Sequence, residues 1–409
     1  MFLLYIDPGT GSMLFSILMG VMGTVVFFGR KLALWIRFVI AGGRAEKISS
    51  TKMPYVIFSD HKRYWNVFKP VCDEFERRGI DVVFWTASPD DPALDEKYKY
   101  VKAEFIGEGN KAFARLNIMN AGTVLSTTPG LDVYQWKRSK NVERYVHIRH
   151  SVDEPVGYRM FGCDFYDAIL LTGSHQEQYI RKLEELRGED KKECAITGCT
   201  YLDAMKERFA LSKKAAQNDV RHDGERTVLL APTWGASGIL AKYGEDIIAA
   251  LVATGYKIII RPHPQSYMAE QRLIEDLQKK FPETEKLNWN CDNDNFEVLS
   301  KADILISDFS GIVFDFTLIF DRPLIYADTS YDSGPYDAAW IQEPLWRFET
   351  LKKLGRKLQA ADFSNMKEII DSVIVDSSYA QARKSVREEV WYFQGSGAAK
   401  TVDYLLNVQ

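Results

Sequence analysis

The chain has no excess of positive charge. Its 52 Lys and Arg residues stand against 56 Asp and Glu residues, which gives a formal net charge of -4 at pH 7. Domains that bind nucleic acid are usually strongly basic, so the charge balance predicts no nucleic acid partner. The 409 residues, of which 46% are hydrophobic, are enough for two domains with sizeable cores.

Cysteine is also scarce, and the few that occur are not arranged for metal binding or for a disulfide framework. The five cysteines are odd in number and scattered along the chain: Cys72, Cys163, Cys194, Cys199 and Cys291. Because no Cys-x-x-Cys pair and no cluster of Cys with His occurs, a metal site is disfavoured. We therefore expect reduced thiols in a cytosolic environment, with neither a metal nor a cofactor.

The amino-terminal segment departs from this soluble composition. Residues 13–28 are almost wholly apolar; Arg30 and Lys31 follow, and Arg37 lies within a second apolar stretch at 32–40. This length is marginal but sufficient for one transmembrane helix, and the positive-inside rule then leaves the rest of the chain in the cytoplasm. A cleaved signal peptide fits less well, because no basic region precedes the apolar run. An interfacial amphipathic helix and a buried core helix are the alternatives. Residues 1–52 are thus predicted to form an anchor and linker at the cell membrane.

After this segment, short apolar strands alternate with amphipathic helices. Between the first two strands, Val67, Val71 and Phe75 recur at helical spacing and Gly79 follows as a stop. Repetition of the strand-helix unit predicts a parallel sheet, and hence a Rossmann-like domain over residues 53–210. The predicted strands are residues 55–58, 82–85, 123–126, 145–148, 168–172 and 195–197.

A second series of strands and helices begins after a hydrophilic interval at 206–226, which we interpret as an interdomain link. Its predicted strands are residues 228–230, 257–260, 304–306 and 324–326. They define a second Rossmann-like domain over residues 226–395, followed by a C-terminal helix at 396–409 that packs back. Two such α/β domains facing a cleft form the architecture called GT-B, after glycosyltransferases.

Two motifs follow directly on strands of the second series, and the carboxyl ends of parallel strands are where ligands bind. Ser307-Asp308-Phe309-Ser310-Gly311 precedes an apolar helix, so hydroxyls and main-chain N–H groups meet at a helix start, which suits a phosphate. An ordinary helix cap without a ligand is the simpler alternative. In Arg261-Pro262-His263-Pro264, the prolines stiffen a loop that presents a guanidinium and an imidazole. A purely structural histidine is the alternative there.

The first series contributes a third element, at the end of its fourth predicted strand. By alternation, His147 and Arg149 share one face of that strand, whereas His150 lies on the other. His150, at the strand end, is better placed to face a cleft, and His147 is predicted to be structural.

Together these motifs resemble those of the CDP-glycerol glycerophosphotransferases, which prime or polymerise teichoic acids and related polyol-phosphate polymers. The resemblance covers about residues 145–326 and leaves residues 1–52 outside. Its elements are His150-Ser151, Gly198-Cys199-Thr200-Tyr201-Leu202-Asp203, Ala231-Pro232-Thr233-Trp234, Arg261-Pro262-His263-Pro264, and Ser307-Asp308-Phe309-Ser310-Gly311 with Phe314-Asp315.

The resemblance implies transfer of a polyol phosphate from a CDP-activated donor to a hydroxyl of a lipid-linked or polymeric glycan, with release of CMP. The two histidines that the family requires fall on His150 and His263. His150 would activate or orient the acceptor hydroxyl, and His263 with Arg261 would stabilise charge on the pyrophosphate. The donor phosphates or the polyol would be held by Ser307, Asp308, Ser310 and Gly311, with Thr233 lining the cleft. The first domain would thus bind the acceptor and the second domain the CDP-activated donor.

The chain also departs from the family pattern. Gly235 stands where the family has an arginine, Gly311 replaces the second serine of a serine pair, and a Pro-Arg pair is absent. These changes leave CDP-ribitol, another CDP-polyol or a nucleotide sugar open as the donor. A GT-B glycosyltransferase or epimerase and a non-catalytic, membrane-tethered binding protein are the alternative functions.

Overall fold

The fold comes from a computed structural model that describes residues 51–215, 226–292, 294–327 and 329–407. The predicted membrane segment at 13–28 lies outside these residues. None of the described helices combines the length and the apolarity that crossing a bilayer requires. The described chain forms two α/β halves, each built on one parallel sheet.

The first half contains a seven-stranded sheet in the order β3-β2-β1-β4-β5-β6-β7, and every neighbouring pair is parallel. The predicted parallel sheet is therefore confirmed. Sequence reasoning missed only β3, an edge strand with a single buried residue and hence no continuous apolar run. The strands are β1 Met53–Ser59, β2 Val82–Thr86, β3 Val101–Phe105, β4 Asn120–Ser126, β5 Asn141–Ile148, β6 Ala168–Leu171 and β7 Glu193–Ile196.

The first three helices of the first half are crossover helices between these strands, and the helix at 200–215 follows β7. In α1, the buried face includes Val67, Val71 and Phe75, and the helix ends at Gly79 with a left-handed φ of 69°, as predicted. The hydrophilic interval that begins at residue 206 is not a linker at its start, because residues 206–215 continue a helix. The helices are α1 Trp65–Arg78, α2 Asn110–Leu116, α3 Glu177–Arg187 and α4 Thr200–Ala215.

The second half contains a six-stranded parallel sheet in the order β10-β9-β8-β11-β12-β13. The four strands predicted from apolar runs are confirmed, whereas the two edge strands, which are short and only partly buried, were missed. The strands are β8 Thr227–Leu230, β9 Lys257–Ile260, β10 Leu287–Trp289, β11 Ile304–Ser307, β12 Leu324–Ala327 and β13 Gly355–Leu358.

The carboxyl-terminal helices connect the two halves. The carboxylate of Asp203 in α4 accepts hydrogen bonds from the N–H groups of Gly395 and Gly397 and from Trp391 Nε1, which ties the chain end to the first half. The helices that follow β8 are α5 Ile239–Ala253, α6 Ser266–Ala269, α7 Gln271–Lys280, α8 Phe296–Lys301, α9 Ile312–Phe320, α10 Trp346–Leu354, α11 Met366–Val375, α12 Ser378–Val390 and α13 Gly397–Asn407. The last of these, α13, packs on α1.

Candidate functional site

A cavity of about 260 Å³ lies between the two halves. The order of each sheet reverses direction between two central strands, β1 and β4 in the first half and β8 and β11 in the second. Ligands of open α/β sheets bind outside the carboxyl ends of the strands at such points. Loops that follow β5, β8, β9 and β11 all contribute to the cavity wall, so both sheets direct this edge toward one space.

His150 lines this cavity from the first half. Its Nδ1 atom is 2.7 Å from Thr127 Oγ1, at the end of β4, and its ring centroid is 5.0 Å from that of Tyr64. Burial, together with the positive charge of Arg149, lowers the pKa of His150 to about 4. The imidazole is therefore neutral at physiological pH, the state that a general base requires.

The neighbouring His147 has a structural position, as predicted. It is fully buried, and its Nε2 atom is 3.1 Å from the hydroxyl of Tyr158. The guanidinium of Arg149 lies 4.7 Å from the same tyrosine ring, so His147 and Arg149 share a face as the alternation predicts. Because β5 ends at Ile148, however, Arg149 also reaches the cavity wall beside His150.

His263 lines the same cavity from the second half. Its Nδ1 atom accepts a hydrogen bond from the main-chain N–H of Gln265 at 3.1 Å. A neutral imidazole whose Nδ1 is an acceptor carries its proton on Nε2. Burial lowers the pKa of His263 to about 4, with Arg63 and Arg261 acting in the same direction. His263 is thus a neutral hydrogen-bond donor through Nε2.

The predicted phosphate-binding residues divide into two groups. Thr233, Ser310 and Gly311 line the cavity. Ser307 and Asp308 are fully buried and do not line it. The Ser307 hydroxyl donates to the carbonyl of Ala231, so its only proton is already used within the protein. Direct phosphate binding by Ser307 is therefore not supported by the geometry.

Asp308 holds the loops that form the cavity wall. Its carboxylate accepts hydrogen bonds from the N–H groups of Thr233 at 3.0 Å, Ile239 at 3.1 Å and Ser310 at 3.1 Å. Two of these donors belong to residues that line the cavity. Burial of the carboxylate raises the pKa of Asp308 to about 6. Its position indicates a role in fixing the loops rather than in contacting the donor.

Arg261 also lies behind the wall. Its guanidinium donates to the Asn290 side chain and, at 2.8 Å, to the carbonyl of Asp292, and only 7% of the residue is exposed. It does not line the cavity. A direct contact between Arg261 and the pyrophosphate is therefore not what the geometry shows. Instead, Arg261 joins the loop after β9 to the loop after β10.

Sequence reasoning missed a buried charge cluster in the cavity wall. Arg347, in α10, donates to Asp153 Oδ2 at 2.8 Å and to the carboxylate of Glu154. On the other side, Asp153 Oδ1 accepts from Arg149 at 2.9 Å. Arg149 adjoins His150 in sequence and could have been found on that ground. No pattern in the sequence links Arg347 to residues 193 positions away.

Aromatic rings complete the wall, and none of them was singled out from the sequence as a cavity residue. Tyr331 and Tyr336 stack with ring centroids 5.9 Å apart, and Phe309 lies 5.1 Å from Tyr331. Tyr158 and Trp234 contribute the remaining rings. The cavity therefore combines charged and hydroxyl groups with planar apolar surfaces, a lining typical of sites that hold a small organic ligand.

The two glycines that depart from the family pattern differ in their backbone. Gly235 has a φ of 90°, a left-handed conformation that a side chain adopts only with strain. Gly311 has an ordinary helical φ of -58°, and a Cβ placed there would lie 3.9 Å from Asp153 Oδ2. Position 235 thus favours glycine through its backbone conformation, whereas position 311 has room for a serine.

Within the described residues, no three His, Cys, Asp or Glu side chains are grouped so that they could hold a metal ion. The five cysteines are all free, and Cys72, Cys163 and Cys199 are buried.

Two solved structures illustrate the likeness of this fold to known proteins. The wall teichoic acid polymerase TagF superposes with a TM-score of 0.55 at 14% identity, covering 94% of this chain and 95% of that one. UDP-GlcNAc 2-epimerase from Neisseria meningitidis superposes with a TM-score of 0.53 at 12% identity, covering 87% of this chain and all of that one. At these identities the likeness concerns the fold, and it confirms the GT-B arrangement of two α/β domains.

A family comparison is more specific. The chain matches none of the curated proteins with which it was compared. Residues 159–406, more than half of the chain, match the family described as CDP-Glycerol:Poly(glycerophosphate) glycerophosphotransferase. The match continues to residue 406, beyond the region at 145–326 in which the motifs were recognised. It includes His263 but begins after His150. The chain therefore belongs to the CDP-glycerol:poly(glycerophosphate) glycerophosphotransferase family.

Proposed function

We propose that this enzyme transfers glycerol phosphate from CDP-glycerol to a terminal hydroxyl of a lipid-linked or polymeric glycan acceptor and releases CMP. The observation that carries the proposal is that His150 and His263 line one cavity from opposite halves of the molecule. The family description supports the donor, and the name of the structurally similar TagF, a wall teichoic acid polymerase, supports a polymeric acceptor.

In this mechanism, His150 accepts the proton of the acceptor hydroxyl. The acceptor oxygen then attacks the phosphorus that carries glycerol, and the bond from this phosphorus to the bridging oxygen breaks. The electron pair of that bond leaves with CMP. The low pKa of His150 keeps its imidazole unprotonated before the reaction, so it is ready to accept a proton.

His263 has the complementary role. Because its Nδ1 accepts the Gln265 N–H, its Nε2–H is available to stabilise the charge that develops on the pyrophosphate oxygens. Thr233 and Ser310 would hold the donor phosphates with their hydroxyls, since their main-chain N–H groups already donate to Asp308. Arg149 adds a positive charge to the cavity wall that no motif predicted.

We further propose that residues 1–52 anchor the enzyme in the cell membrane through a single helix at 13–28, with both α/β domains in the cytoplasm. The apolar run and the basic residues on its C-terminal side support this topology. A cysteine placed near residue 3 and another near residue 43 can be labelled from outside intact cells. Equal protection of the two positions would argue against a spanning helix.

Donor profiling tests the transfer reaction. The purified full chain is incubated with CDP-glycerol, CDP-ribitol or UDP-sugars and an acceptor extract, and release of CMP or UDP is followed. We expect CMP release with CDP-glycerol and a loss of about 10²- to 10⁴-fold in kcat for His263→Asn. Full turnover by His263→Asn would exclude the proposed site, and no nucleotide release from any donor would favour a binding protein.

A further inference from the structure

We propose that an exposed aromatic surface beside the cavity rests on the lipid bilayer. This lipid-facing surface consists of Tyr134, Phe161 and Trp340, whose exposed fractions are 46%, 40% and 37%. The inference deepens and rests on the proposed function, because it names the surface that would bring the cavity to a membrane-bound acceptor.

The backbone at Phe161 is strained in a way that holds the ring outward. Phe161 has a φ of 66°, a left-handed conformation that is rare for a bulky residue. Asp337 stabilises it by accepting hydrogen bonds from the N–H groups of Phe161 at 2.7 Å and Gly162 at 3.1 Å. Such strain persists only where the surroundings enforce it, and it concentrates at functional sites. Here it maintains a large apolar side chain in solvent.

A buried charge network supports two of the rings from below. The Arg187 side chain is 4% exposed and forms ion pairs with Asp164 at 2.7 Å and with Asp337. Its guanidinium carbon lies 4.8 Å from the centre of the Phe161 ring and 5.1 Å from that of Trp340. The two exposed rings are therefore neighbours on one rigid support, and their position needs no ordering when a partner binds.

Tyr134 extends the same surface. The Gly130 N–H donates to the carbonyl of Gly162 at 2.7 Å, which joins the two loops. The Tyr134 ring covers Gly130 so closely that a Cβ there would lie 2.5 Å from it. Trp, Tyr and Phe rings suit the membrane–water interface, where the ring contacts acyl chains and a polar edge stays hydrated.

Positive charge borders these rings, which favours an anionic bilayer over other partners. Lys137 and Arg159 are exposed, three residues after Tyr134 and two before Phe161. Lys137 lies 4.0 Å from the carboxylate of Asp132 in a solvated ion pair, so Arg159 carries the unpaired charge of the two. Arg159 forms no ion pair with any described residue. Basic side chains beside interfacial aromatic rings attract anionic lipid head groups.

The surface borders the entrance to the catalytic cavity. Arg159 pairs with Tyr336 in an isolated bridge, and the Asp337 N–H donates to the carbonyl of Tyr158 at 2.9 Å. Tyr158 and Tyr336 both line the cavity. Contact of the rings with a bilayer would therefore bring the cavity close to the head groups, where the hydroxyl of a lipid-linked acceptor is located.

Photocrosslinking in the full chain tests this contact. The chain carries benzoylphenylalanine in place of Phe161, Trp340 or, as a control, Met268, which is 79% exposed in the second half. Each protein is reconstituted in vesicles of phosphatidylcholine and phosphatidylglycerol, irradiated and examined by mass spectrometry. We expect lipid adducts at 161 and 340 to exceed those at 268 about fivefold or more, since interfacial rings contact acyl chains. Equal adduct levels, crosslinks to a second protein chain, or crosslinks to residues 13–40 of the same chain would each overturn the proposal.

A second arm separates lipid contact from folding. Benzoylphenylalanine at position 134, in place of Tyr134, serves as the reporter in two proteins. One also carries the double substitution Phe161→Asn and Trp340→Ser, and the other carries only the control substitution Met268→Ser. Asn tolerates a positive φ better than Phe, so Phe161→Asn alone should not lower the thermal midpoint. We expect the lipid adduct at 134 to fall about three- to tenfold in the double variant and to stay within about twofold in the control. An unchanged adduct in the double variant would overturn the proposal. Neither arm contains donor or acceptor, so a failure of the transfer reaction is detected separately, by CMP release.

Discussion

Thr127 Oγ1 lies 2.7 Å from Nδ1 of His150. The imidazole can act as a base through Nε2 only if Nδ1 carries the proton, and the hydroxyl of Thr127 can accept that proton in a hydrogen bond. Thr127 is fully buried, at the end of β4, so its position is determined by the sheet. This contact therefore orients His150, and it accommodates the tautomer that the proposed reaction needs because a hydroxyl can accept as well as donate.

Replacing the hydroxyl of Thr127 should slow the reaction without weakening donor binding. For Thr127→Val we expect kcat to fall about fivefold, since one hydrogen bond contributes about 1 kcal/mol, whereas KM for CDP-glycerol stays within about twofold. Thr127→Ser keeps the hydroxyl and should recover most of kcat. The measurement is a pH profile of kcat for the three proteins. A loss in KM alone, or no recovery with serine, would mean that Thr127 acts only through packing.

Arg347 joins the two halves through buried charges, and its removal should be strongly destabilising. Glu154 is fully buried and Asp153 also contacts Arg347, so Arg347→Met leaves two carboxylates without this partner. We expect the free energy of unfolding to fall by about 3–5 kcal/mol. Urea denaturation at pH 7 measures the change.

The matched control for this prediction is Arg356→Met. Arg356 is 36% exposed and lies 3.5 Å from Asp362, so its ion pair is largely solvated. A pair of this kind contributes about 0–1 kcal/mol. If both variants lost the same small amount of stability, the buried cluster would not hold the halves together. Combining Arg347→Met with Glu154→Gln should restore part of the loss, since one buried charge is then removed.

The central strands and the motif loops could be predicted from the sequence, but the direction of individual side chains could not. β8, β9 and β11 are buried on both faces, so they appear as continuous apolar runs. The edge strand β13 carries two polar side chains and lacks this signal. Ser307 and Ser310 belong to one motif, yet only Ser310 lines the cavity, because the path of the loop decides which hydroxyl points inward. The contact of Arg347 with Glu154 depends on the packing of both halves and leaves no local pattern.

The two glycines of the altered motifs should respond oppositely to serine. Gly311 is the N-cap of α9 and has an ordinary helical φ, so Gly311→Ser should change the free energy of unfolding by less than about 0.5 kcal/mol. Gly235 has a φ of 90°, so Gly235→Ser should destabilise by about 1–3 kcal/mol. Urea unfolding of both variants tests this contrast. Equal losses would indicate that the loop after β8 adapts to a side chain.

The Gly311→Ser variant also reports on the donor site. A serine at 311 would add a hydroxyl to the cavity wall next to Ser310, where the donor phosphates are proposed to bind. We expect KM for CDP-glycerol to fall about two- to tenfold in Gly311→Ser, the range of one added hydrogen bond. A higher KM would instead indicate that the glycine leaves space for a larger donor group. CDP-ribitol is then the next donor to compare.

Asp308 should make stability depend on pH. Burial raises the pKa of its carboxyl from 3.8 to about 6, so the folded state keeps a proton that the unfolded state has already lost. Its contribution is therefore greatest below about pH 4 and is lost as the pH rises through about 6. Two units of pKa correspond to about 3 kcal/mol. Asn cannot ionise, so wild type should lose stability relative to Asp308→Asn by roughly this amount between about pH 4 and pH 7.5.

Urea unfolding of both proteins at the two pH values measures the difference, and other titrating groups cancel because the two chains share them. A difference that grows in favour of wild type with rising pH would show that the N–H groups of Thr233, Ile239 and Ser310 lower this pKa instead, and that Asp308 holds the cavity loops as a carboxylate.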